Sequence, residues 1–78
     1  MKTEENVQTR FAVCIDNEGY PASLELRKIY RVLVDKKAAK HSLVRVVDES
    51  GEDYLYPERF FVRIRLPQAL KEVFLHAA

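Results

Sequence analysis

Leu43-Val44-Arg45-Val46-Val47-Asp48-Glu49-Ser50-Gly51-Glu52-Asp53-Tyr54-Leu55-Tyr56-Pro57 decides the fold of this chain. Two runs rich in β-branched and aromatic residues flank a short acidic loop holding one of only 2 glycines. That pattern is a β-hairpin. A two-residue loop, Ser50-Gly51, would need a positive φ at Ser50, which a residue bearing a Cβ resists. A three-residue loop, Glu49-Ser50-Gly51, needs it only at Gly51, and is the expected form. It pairs Val46 with Tyr54 and Val44 with Tyr56, and sets Arg45 opposite Leu55. The shorter loop would pair Val46 with Leu55 and stack Arg45 on Tyr56. A slip of one residue changes every side chain that meets across the pair.

Working outward, Phe11-Ala12-Val13-Cys14-Ile15 reads as a strand ending at the turn Asp16-Asn17-Glu18-Gly19. Pro21 biases Tyr20 toward extended geometry. Residues 16–26 then form an irregular excursion, with a short extended piece expected at Ser23-Leu24-Glu25-Leu26. Lys28-Ile29-Tyr30-Arg31-Val32-Leu33-Val34 is a second strand, apolar on both faces. Asp35 is a good N-cap for one helical turn through His41. After the hairpin, Pro57-Glu58-Arg59 turns the chain into a last strand over 60–66. There Phe60, Val62, Ile64 and Leu66 are expected on one face, and Phe61, Arg63 and Arg65 on the other. Pro67 suits the first position of a helix, expected over 67–77, whose stripe of Leu70, Val73, Phe74 and Ala77 must be covered.

Composition bounds the rest. A chain of 78 residues is one domain, expected as a flexible segment 1–10 followed by the folded unit 11–78. Domains this small bury only about 60% of their unfolded surface. The single cysteine, Cys14, forbids an internal disulfide. With 13 basic and 12 acidic residues the net charge is +1, unlike the strongly basic domains that bind nucleic acid through charge alone. Met1-Lys2-Thr3-Glu4-Glu5-Asn6 has no apolar core, so no signal peptide is read there. No apolar run approaches the roughly 20 residues that span a bilayer. A lone thiol without an export signal fits a reducing cytoplasm.

Short strands, one long excursion and a final helix predict a mainly β fold: a small SH3-like barrel of four to five antiparallel strands with a short C-terminal helix. Closure would manage the sheet edges. Cys14-Ile15-Asp16-Asn17, Ser23-Leu24-Glu25, Lys28-Ile29-Tyr30 and the run from Asp48 to Pro57 resemble a family of very short bacterial proteins. The likeness spans roughly residues 11–70, and Tyr54-Leu55-Tyr56-Pro57 is its most specific part. The resemblance implies an SH3-like fold and brings no activity or functional residues with it. This chain departs from the family pattern at Val34, where proline is usual, and in carrying Arg63 and Arg65.

Candidate chemistry is sparse. A nucleophilic Cys14 would need a base, for which His41 is the candidate, and an electropositive setting; otherwise it is a small buried hydrophobe. Asp48, Glu49, Glu52 and Asp53 lack the longer, regular spacing of calcium loops and read as a solvated hairpin tip. No metal or cofactor is expected. Tyr20, Tyr54, Tyr56, Arg59, Arg63 and Arg65 make up the candidate partner-binding surface. An aromatic-lined groove of Tyr20, Tyr54 and Tyr56 would hold an extended peptide. The same aromatics beside arginines would stack and neutralise RNA or single-stranded DNA. The expected function is therefore a non-catalytic interaction module with a protein partner; nucleic acid is the alternative, and a thiol-dependent role of Cys14 the third reading. No membrane partner is expected. The C-terminal stripe leaves monomer or weak homodimer open, and a domain this small is expected to leave no room for a ligand-sized cavity.

Overall fold

The computed structural model describes residues 9–48 and 50–75. Five antiparallel strands form one sheet: β1 (Thr9–Cys14), β2 (Ile29–Leu33), β3 (Leu43–Val47), β4 (Asp53–Pro57) and β5 (Phe61–Ile64). One helical turn, α1 (Lys36–Ala39), joins β2 to β3, and α2 (Gln68–Leu75) follows β5. The fold is mainly β with a short C-terminal helix, as the pattern predicts. The flexible segment expected at 1–10 lies outside the described residues except for Thr9 and Arg10, which belong to β1. His76 and Ala77, expected to end the helix, also lie outside them.

The sheet runs β4-β3-β2-β1-β5, so β4 and β5 are its two edges and no ladder closes it into a barrel among the described residues. Local geometry gives the reason. The chain leaves β4 through a 3-10 turn at Glu58–Phe60, and β5 is only 4 residues long. Two bonds prolong existing ladders by a step: the Glu58 N–H donates to the Ser42 carbonyl at 2.9 Å beyond the β3–β4 pairing, and the Ile15 N–H to the Phe60 carbonyl at 2.7 Å beyond the β1–β5 pairing.

The hairpin has the three-residue loop. Val46 faces Tyr54, Arg45 faces Leu55 and Val44 faces Tyr56. The Asp48 N–H donates to the Glu52 carbonyl at 2.8 Å, and Gly51 carries φ +92°. Arg45 does not reach Tyr56. Its Nε and Nη1 donate at 2.8 Å to Asp35 and Asp53. Asp35 also caps α1, accepting the Ala38 N–H at 3.0 Å. That bond, then the Arg45 guanidinium, hold the Asp35 carboxyl below its ordinary value.

Alternation along the strands buries one face. Ala12, Cys14, Tyr30, Val32, Val46 and Tyr56 cluster there, joined by Leu24 and Phe60 from the loops. Full burial of a large apolar side chain stabilises by about 1.5–3 kcal/mol. On the opposite face Phe11 is buried, with the Phe74 ring of α2 5.8 Å away. The helical stripe thus docks through Phe74, while Val73 stays 61% exposed.

Two local expectations are corrected. Ser23 to Leu26 form no strand; turns flank Leu24, which is driven into the core. Phe60 also leaves the face expected for it, while the grouping of Val62 with Ile64 and of Phe61 with Arg63 holds. Phe60 enters the core from the 3-10 turn, not from the strand, and pairing of Cys14 with Phe61 puts Phe61 on the core face. Val62 pairs with Val13 and is 49% exposed. A 3-10 turn advances about 120° per residue, so alternation counted through it fails.

Candidate functional site

Tyr54 and Tyr56 stand two residues apart on β4, so both belong to the face of Val46 and Val44. Tyr20 reaches them from the first loop. The Tyr20 carbonyl accepts the N–H groups of Ser23 and Leu24 at 3.1 and 2.9 Å, and its own N–H donates to Asn17 at 2.8 Å. Buried Leu24 anchors this loop, its carbonyl accepting Asn17 Nδ2 at 3.0 Å. The Tyr30 hydroxyl accepts the Glu25 N–H at 2.9 Å.

The Tyr20 ring stands perpendicular to Tyr56, with centroids 5.0 Å apart, and 6.2 Å from Phe60. With Ala22, Ser23, Asp48 and Leu55, the three tyrosines line a groove of about 560 Å³. Tyr56 is buried in its floor; Tyr20 and Tyr54 are 41% and 45% exposed. The Tyr54 hydroxyl donates to Glu52, which pushes the phenol up to about 12. Asp48 accepts from the Ser50 hydroxyl and the Ser50 and Glu52 N–H groups. These bonds, the hydroxyl first, hold its carboxyl below the ordinary range. The groove therefore has aromatic walls and the ionised Asp48 carboxylate at its rim.

The arginines do not join the tyrosines. Arg63 and Arg65 line a second groove of about 630 Å³ with Arg10 and Lys71, over Phe11, Ile64 and Leu66. Arg59 lines neither; its guanidinium lies 5.0 Å over the Phe60 ring. Of the six candidate surface residues, three share one groove, two share another, and one packs on the core plug. Both grooves are open depressions at the surface, which demand no spare interior volume.

Sequence reasoning missed Asp48 as a groove residue, and Arg10 and Lys71 altogether. Asp48 could have been found from the hairpin register, since it follows the rung that ends β3. Arg10 and Lys71 come to Arg63 and Arg65 only through the β1–β5 pairing and the docking of α2.

Cys14 is fully buried, and its thiol donates to the Asp16 carbonyl at 3.3 Å. Burial pushes the thiol up from its ordinary value. His41 lies exposed in the turn after α1. Among the described residues no group of three or more His, Cys, Asp or Glu is placed to hold a metal ion, and no helix is long and apolar enough to cross a membrane. Comparison with family models, curated proteins and solved structures finds no match to this chain.

Proposed function

We propose that this protein is a non-catalytic interaction module that holds an extended segment of a protein partner in the tyrosine groove. The convergence of Tyr20, Tyr54 and Tyr56 on one groove carries the reading. Rigid aromatic side chains supply large contact area at little entropic cost, and their hydroxyls can meet the backbone of an extended chain. Asp48, the one charged group that lines the groove among the described residues, favours a segment with a lysine or arginine beside its apolar residues.

The nucleic-acid alternative is less well supported, because stacking rings and phosphate-binding cations need to share one surface. Here the tyrosines and the cations line different grooves. A thiol-dependent role has less support still: a nucleophilic cysteine needs access and a lowered pKa, and Cys14 has neither. A buried free thiol suits a reducing compartment, and we place the protein in the cytoplasm. Monomer or weak homodimer fits a helix that covers only part of its apolar stripe.

Selection of ligands from a displayed random-peptide library tests the proposal. Selected peptides should carry apolar residues and a cation, and Tyr20→Ala or Tyr54→Ala should weaken them by about tenfold, as loss of a well-packed aromatic contact does. Peptides indifferent to both substitutions would remove the groove from the function.

A further inference from the structure

We infer that the partner joins the sheet as an added strand: an extended segment of another protein, basic at its ends and aliphatic between, bonded through its main chain to the free edge of β4. This mode of binding rests on the tyrosine groove being the site, and it fixes how the segment is held there.

The β3–β4 ladder leaves a defined set of backbone groups outside it. In an antiparallel pair, rungs that exchange hydrogen bonds alternate with rungs that do not. The Asp48 N–H donates to the Glu52 carbonyl at 2.8 Å, and the Glu58 N–H to the Ser42 carbonyl at 2.9 Å. Between these two rungs the bonded ones are Val46 with Tyr54 and Val44 with Tyr56. The N–H and C=O groups of Asp53 and Leu55 therefore point away from β3, as does the Pro57 carbonyl. β4 is an edge of the sheet, and among the described residues no backbone bond reaches these groups. Pro57 has no N–H and ends the row.

The tyrosine groove lies beside that row. Successive residues of a strand send their side chains to opposite faces, yet Tyr54, Leu55 and Tyr56 all line this groove. Space beside a strand's edge meets both faces at once. Sheet edges are ordinarily guarded by charges, prolines or short length. β5, the other edge, is 4 residues long and carries Arg63. β4 carries no cation, its Asp53 is met by Arg45 at 2.8 Å, and Tyr54 and Leu55 are 45% and 40% exposed. An added strand takes affinity from main-chain bonds and selectivity from the side chains that flank them.

Charge selects the occupant. Asp48 and Glu52 stand at one end of the edge and Glu58 at the other. Arg45 is held by Asp35 and Asp53, and Arg59 lies over Phe60. Opposite charges across paired strands attract and like charges repel. The segment therefore carries lysine or arginine toward its ends, with aliphatic residues between them against Tyr54 and Leu55. A second copy of the chain is disfavoured. Two β4 strands related by a two-fold axis at Leu55 would set Glu52 of one opposite Glu58 of the other. A nucleic acid has no alternating N–H and C=O groups to offer the edge, and its phosphates would meet these carboxylates.

A labelled peptide of about eight residues, an ordinary strand length, is the probe, with lysines at both ends and valines and threonines between. Its rivals are two N-methylated forms, blocked at odd or at even positions, and a form with glutamate for lysine. In anisotropy titrations one methylated form should lose about tenfold or more in affinity and the other should keep it, because every second N–H faces the edge. The glutamate form should bind about tenfold more weakly or worse. Amide exchange at Asp53 and Leu55 should slow on binding, while Tyr54 and Tyr56, already bonded to β3, change little. No binding of the lysine peptide, or equal binding of the glutamate form, would overturn the added strand. Binding that Tyr20→Ala weakens but neither methylated form alters, with exchange at Leu55 unmoved, would also overturn it and leave the groove standing. Binding indifferent to Tyr20→Ala as well would remove the groove itself. Self-association in sedimentation that protects Leu55 in the free protein would overturn the partner segment in favour of a second copy.

Discussion

The two grooves differ in what stands behind them. The tyrosine groove is the outer surface of the core. Its floor, Tyr56, belongs to the buried cluster, and Phe60 behind Tyr20 is 1% exposed. The arginine groove is a rim of long side chains on strand ends and one helix, with only Phe11 buried below. The first surface is rigid because folding makes it so, and a ligand need not order it. The second holds side chains that a ligand must order, but its chemistry can change without touching the core. The proposed binding surface is therefore tied to stability at the tyrosine groove, whereas the arginine groove can change without loss of the core.

The largest expected effect breaks that link at its root. Phe60→Ala removes the ring that plugs the open side of the sheet and meets Tyr20. Truncating a buried phenylalanine costs about 3–5 kcal/mol, against a total of about 4–12 kcal/mol for a domain of this length. Chemical denaturation should show the variant unfolded or close to it, with peptide binding at the tyrosines lost alongside. A loss below about 1 kcal/mol would mean that the ring is not core, and the two grooves would no longer differ in the way described.

The hairpin explains why half of this contrast is legible in the sequence. Gly51 selects the loop, the loop sets the register, and the register places Tyr54 and Tyr56 on one face. Tyr20 can be grouped with them because a long excursion must return to the sheet. The arginine groove is legible only in part. Arg63 and Arg65 are near neighbours in the chain, but Arg10 is more than fifty residues away and joins them through a first-to-last strand pairing. Local pattern carries no information about that pairing. The place of Phe60 is not legible for a related reason: the 3-10 turn takes it out of the alternation that β5 keeps, and nothing in Pro57-Glu58-Arg59 separates such a turn from a simple reversal. Barrel closure fails to appear because residues that could have lengthened β5 are spent in the same turn.

A smaller effect sharpens the picture of the tyrosine groove. The Glu52 carboxylate accepts the Tyr54 hydroxyl and pushes that phenol up to about 12, from an ordinary value near 10. The neutral phenol is the bonded form. Its contribution to stability is full below pH about 10 and is lost as the pH rises through about 12. In the folded protein one tyrosine should ionise in that late range when absorbance near 295 nm is followed. Glu52→Ala should bring this step back toward 10 and free the Tyr54 ring to reorient, so peptide affinity should move with it. A titration without the late step would show that Glu52 does not hold the wall of the groove.

The smallest stability effect is expected at the other groove, and it is the more exacting test of the contrast. Arg63 and Arg65 are both exposed and contribute no atom to the buried cluster. Exposed substitutions away from caps, buried networks and special backbone angles usually fall within about 0.5 kcal/mol of neutral. Arg63→Ala and Arg65→Ala should stay in that range at low and at high salt. Denaturation curves at low and high ionic strength measure this directly. A marked destabilisation would mean that the arginines hold the sheet end together through contacts of their own. The groove would then be a structural seam.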